Sequence, residues 1–93
     1  MAEFLVEIYV AAHDRDSARR GGQAAYRAAE AMTGAGTRVI YLSSVFVPRD
    51  ETCFYFFEAG SIDAVRETAQ RAGLAFEHVA EVVSDPSARG VRS

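Results

Sequence analysis

Ninety-three residues carry 13 acidic and 10 basic side chains, two histidines and one cysteine, for a formal charge of −3; that length makes one domain, and no run reaches the roughly 20 apolar residues of a bilayer span. A lone cysteine excludes an internal disulfide and a cysteine-built zinc site, and the acidic balance leaves no basic footprint for nucleic acid. A chain this short buries only about 64% of its extended surface, yet 49% of its residues are hydrophobic, so some apolar surface is left for a partner.

Residues 3–10 alternate, with Phe4, Val6, Ile8 and Val10 on one face and Glu3, Leu5, Glu7 and Tyr9 on the other, the pattern of a strand with one dry and one mixed face. Residues 11–16 are polar, and Asp16 or Ser17 is expected to cap a helix running to about Gly34 with Ala18, Gly22, Ala25, Ala29 and Met32 inward. Gly21 and Gly22 each cost about 1 kcal/mol of helix propensity and are expected to fray its first turn. Residues 38–47 and 52–58 are β-branched and aromatic, and Pro48-Arg49-Asp50-Glu51 between them has hairpin chemistry. Ser61 caps a second helix with Ile62, Val65, Ala69 and Ala72 inward, stopped by Gly73. Residues 77–84 make the last strand. Residues 85–93 carry no periodicity and read as a flexible tail, so the domain is set at residues 1–84.

The order β-α-β-β-α-β closes most simply as a ferredoxin-like α+β fold, a four-stranded antiparallel sheet with two helices on one face. The other face is then bare. On the third strand Cys53, Tyr55 and Phe57 point one way and Phe54 and Phe56 the other; on the second, Val39, Tyr41, Val45 and Val47 oppose Ile40, Leu42 and Phe46. A bulge near Ser43-Ser44 would exchange these sets beyond it. Helices on one side cannot cover both, so a second copy packed sheet to sheet as a homodimer is expected to cover the bare face, with a bound apolar ligand as the alternative.

The stretch from Tyr41 to Ala59, YLSSVFVPRDETCFYFFEA, followed by Ala64-Val65-Arg66-Glu67 and Arg71-Ala72-Gly73-Leu74, closely resembles small bacterial proteins of domain-of-unknown-function family 4242, several of which carry the name nickel-binding protein. The resemblance covers most of residues 3–83. It implies a dimeric α/β-barrel, in which two ferredoxin-like protomers pack sheet against sheet, and a homodimeric protein holding nickel or another divalent metal; the cytoplasmic setting is expected separately, from the lack of a bilayer-length apolar run and of a basic start at Met1-Ala2-Glu3. No organic cofactor is implied. The absence of lysine reads as the coding bias of a GC-rich genome, in keeping with such a source.

His13 and His78 are the only imidazoles, and a nickel or zinc site wants three or four converging donors. His13 with Asp14 and Asp16 in one loop, and His78 at the start of the last strand, are the candidate ligands, with Glu7 as an auxiliary. The plain alternatives are a solvated loop histidine and a rim histidine. A rival reading makes the shared sheet face a small-molecule pocket or a cofactor-free enzyme site, with Glu7 as base and Tyr9 as proton donor or orienter among Tyr41, Tyr55 and Phe57; there the plain alternative is Glu7 paired with Arg38 or another rim arginine. Cys53, with no neighbouring histidine, reads as a small core hydrophobe.

Overall fold

The computed structural model describes residues 1–83; the expected tail over residues 85–93 lies outside them. Strands β1 (Ala2–Tyr9), β2 (Val39–Val47), β3 (Thr52–Ala59) and β4 (Phe76–Val82) alternate with helices α1 (Arg15–Gly34) and α2 (Ile62–Arg71). They form one antiparallel sheet in the order β2-β3-β1-β4, the ferredoxin-like α+β arrangement expected from the sequence. No helix of the described residues is long and apolar enough to cross a membrane.

The two helices cover one face because their small-residue stripes bring them close to it. Ala18, Gly22, Ala25, Ala28, Ala29 and Met32 of α1 and Ala64, Val65, Thr68 and Ala69 of α2 are buried. Beneath them lie Phe4, Val6 and Ile8 of β1, Val39 of β2, Cys53, Tyr55 and Phe57 of β3 and Val79 of β4. Alternation puts these strand residues on one side. Ser61 caps α2 through its hydroxyl, which accepts from the Ala64 amide, and Gly73 at φ +75° ends the segment in the left-handed region, where glycine carries no Cβ penalty.

Helix α1 departs from expectation at its start. Asp14 is the cap, its Oδ1 accepting from the Ser17 amide at 3.1 Å, while Asp16 lies in the first turn, bonded to Arg19 and Arg20. The glycine pair also has a use that periodicity alone does not reveal. A Cβ on Gly21 would stand 2.2 Å from the Tyr55 hydroxyl oxygen, and one on Gly22 would stand 2.9 Å from that of Tyr41. The Tyr55 hydroxyl donates to the Ala18 carbonyl at 2.7 Å, in the buried core. The glycines therefore let two β-sheet tyrosines reach the backbone of a helix that stays continuous from Arg15 to Gly34.

Strand β2 is bulged. Tyr41 pairs with Phe57 and Ser43 with Phe56, so Leu42 is the extra residue. Beyond it the faces exchange: Ile40, Ser43, Val45 and Val47 share the side away from the helices, and Val39, Tyr41, Ser44 and Phe46 the side beneath them. The turn into β3 is a single 3-10 turn, Pro48–Asp50, completed by Glu51 at φ 50°. Glu51 fastens the loop after β1, since its carbonyl accepts from the Val10 amide and its carboxylate from the Ala12 amide.

Candidate functional site

The sheet face away from the helices is built in rows, because directly paired residues of neighbouring strands point the same way. The first row is Ile40, Glu58, Glu3 and Val82. The second is Ser43, Phe56, Leu5 and Ala80, and the third is Val45, Phe54, Glu7 and His78. Val47, Thr52 and Tyr9 make the fourth. An apolar centre of Leu5, Phe54, Phe56 and Val45 is thus flanked by Glu3 and Glu58 on one side and by Glu7 with His78 on the other.

The electrostatics of this face are unusual. Among the described residues it carries three carboxylates and one imidazole, and no strand contributes an arginine. Glu3 and Glu58 are directly paired, a like-charge arrangement that costs stability unless a cation offsets it. Glu7 directly opposes His78, and among the described residues neither takes part in a salt bridge. Arg38, two residues before Ile40, stands at the far end of β2 from Val45 and Glu7, so the sequence-based pairing of Glu7 with Arg38 does not form. Glu7 is half-buried and His78 exposed, leaving their donor atoms open to a ligand.

The candidate metal ligands are not brought together within one chain. His13 lies on an exposed turn before α1, Asp14 is occupied as the helix cap, and Asp16 is committed to arginines. The hydrogen bond from Arg19, aided by the charge of Arg20, holds the Asp16 carboxyl below its usual range, which marks an ion pair rather than a free ligand. Only His78 meets a carboxylate in register, and that carboxylate is Glu7. Among the described residues no group of three or more His, Cys, Asp or Glu is gathered closely enough to hold a metal.

The pocket expected around Glu7 and Tyr9 has different walls. Tyr55 and Phe57 are wholly buried beneath the helices, and Tyr41 packs against both, with ring centroids 6.5 and 5.6 Å apart. They belong to the opposite side of the sheet, because Glu7 pairs with Phe54 and Tyr9 with Thr52. Phe54 directly opposes Glu7, Phe56 and Leu5 stand one row away and Val45 lies beyond Phe54 on the same face, and sequence reasoning missed these as site residues. The signal was present: matching the driest face of β1 to the driest face of β3 already puts Glu7 among Phe54 and Phe56. Cys53 is fully buried, and burial pushes its thiol above the usual value, as a packing residue requires.

A cleft on the helix side runs between α1 and the edge strand β2. One part, of about 410 Å³, is lined by Tyr26, Ala29, Glu30, Thr33, Gly34, Val39, Ile40 and Tyr41. A second part shares Tyr26, Glu30 and Tyr41 and continues past Arg19, Arg27 and Ser44.

No protein-family model and no curated protein matches this chain. Among solved structures, it is similar to the crystal structure of SCO4226 from Streptomyces coelicolor A3(2), with a TM-score of 0.74 and 20% sequence identity, over 90% of this chain and 99% of that one. At that identity the likeness establishes the fold.

Proposed function

We propose that this chain is a small homodimeric metal-binding protein of the nickel-binding type, joined sheet to sheet, with Glu7 and His78 of each protomer as its interfacial donors. The observation that carries the reading is the charge of the open face: three carboxylates and one imidazole around an apolar centre, with no arginine from any strand. Packing two such faces together buries carboxylates, and buried anions require a cation. Two imidazoles and two carboxylates supply nitrogen and oxygen donors suited to a borderline divalent ion. A single chain brings only one histidine and one carboxylate into register, so the second copy completes the set. The resemblance of the segment from Tyr41 to Ala59 to proteins carrying the name nickel-binding protein supports the same reading, and the proposal places the dimer in the cytoplasm.

The test is isothermal titration of tag-free protein with nickel. Heat corresponding to about one ion per two chains is expected at tens of micromolar protein. His78→Ala abolishes it, Glu7→Gln weakens it at least about tenfold, and His13→Ala leaves it unchanged. Absence of heat, or loss in His13→Ala with retention in His78→Ala, overturns the assignment.

A second reading makes the same shared face a small-molecule or cofactor-free catalytic pocket, favoured by the half-buried Glu7 set beside Phe54 with Tyr9 one row away. In that case nickel gives no heat, while a small apolar acid or ketone perturbs the resonances of Glu7, Tyr9 and Phe54.

A further inference from the structure

The cleft between α1 and β2 lies on the opposite side of the sheet from the site above and has its own chemistry. Its inner part presents two tyrosines, Tyr26 and Tyr41, one carboxylate, Glu30, and no basic side chain. Tyr26 is 52% exposed, so its ring is free to cover a ligand. A hydrogen bond to Glu30, together with the charge of that carboxylate, raises the proton affinity of the Tyr26 hydroxyl and sets the carboxylate at the edge of the ring.

Two further features favour positive charge there. Thr33 and Gly34, the last residues of α1, form one wall, and the last turn of this 20-residue helix carries no basic residue to offset its negative end. The wall is also fixed in place. The Thr33 hydroxyl donates to the Val39 carbonyl at 2.9 Å and accepts from the Val39 amide at 3.0 Å, clamping the helix end to the start of β2. Tyr41 is held in turn by its packing on Tyr55 and Phe57, and its hydroxyl reaches α1 only because Gly22 has no side chain. A rigid, aromatic, acidic recess of about 410 Å³ falls within the size range of small-ligand sites.

We infer that this cleft binds a small organic cation, an alkylamine or quaternary ammonium group, seated on the rings of Tyr26 and Tyr41 and charge-paired with Glu30. Tyrosine faces attract such cations through the ring quadrupole, most strongly where water is excluded. Arg19 and Arg27 line the neighbouring part of the cleft and not this one, so the cation lies against Glu30, Thr33 and Gly34.

The probe is choline, compared with 3,3-dimethylbutan-1-ol, which has the same shape without the charge. Titration followed by amide and tyrosine resonances is expected to show saturable shifts at Glu30, Thr33, Gly34 and Ile40 for choline, and binding at least about tenfold weaker for the alcohol. Glu30→Gln, a surface change that leaves the fold intact, should weaken choline at least about tenfold, while Arg27→Gln strengthens it by removing a competing positive charge. Equal binding of the alcohol, undiminished binding in Glu30→Gln, or no saturable shift with choline overturns the inference. Glu7→Gln leaves this binding unchanged, so the outcome is separate from that of the nickel titration.

Discussion

The Gly21-Gly22 pair ties together helix, strand and core in two residues. In isolation a glycine inside a helix costs about 1 kcal/mol relative to alanine, so alanine at position 21 would ordinarily stabilise α1. Here the added methyl meets the Tyr55 hydroxyl at 2.2 Å and its ring carbon at 2.9 Å, and overpacking a core typically costs about 1–3 kcal/mol. The steric term wins. Gly21→Ala is therefore expected to lower stability by about 1–2 kcal/mol in urea unfolding, with partial recovery in the double variant with Tyr55→Phe, which removes the nearest atom but not the ring carbon. Stabilisation by Gly21→Ala alone would contradict this packing.

Asp16 gives a second prediction at the same scale. Because its carboxyl is held below the usual aspartate range by the hydrogen bond from Arg19 and the charge of Arg20, its contribution is present above the unfolded value and is lost as the pH falls through the folded one. Asp16→Asn should lower the melting temperature slightly at pH 7 and leave it unchanged at about pH 2. Being fully exposed, the pair is worth little, and a large effect at either pH would contradict the account.

Strand β2 decides which residues the open face would present to a second protomer in the proposed dimer. Because Leu42 is the extra residue of the bulge, its deletion leaves every other side chain of β2 on its present face. That variant is expected to fold cooperatively, with sheet resonances little changed outside residues 41–43; a failure to fold would show that the register is wrong. The alternations of β1 and β3, the α1 stripe and the Ser61 cap were legible from periodicity, and the βαββαβ order followed from them. The two faces of β2 were not, because one bulge inverts all alternation beyond it. The Glu7–His78 pairing was equally hidden, since strand register between β1 and β4 depends on tertiary packing and on a shift between Glu7 and Ile8. Asp14, rather than Asp16, caps α1 for a related reason: several polar residues in one loop offer similar caps, and the placement of the helix chooses among them.

At the scale of the molecule, two helices and a four-stranded sheet leave one side of that sheet without a covering layer among the described residues. Four strands about 4.8 Å apart and about eight residues long at roughly 3.3 Å each span about 500 Å² in projection, with Leu5, Val45, Phe54 and Phe56 as its apolar centre and carboxylates around it. Phe56 stands near the centre of this face, between Ser43 and Leu5. Phe56→Glu is expected to give a folded monomer by circular dichroism and gel filtration; a variant that remains dimeric would move the interface elsewhere.

The central claim is that two copies of this face join and share a metal through Glu7 and His78. Sedimentation equilibrium of the tag-free chain, with and without nickel, tests it most directly. The predicted result is a species of twice 10.1 kDa, tightened by nickel in the wild type and not in His78→Ala. A species of 10.1 kDa under both conditions would contradict it.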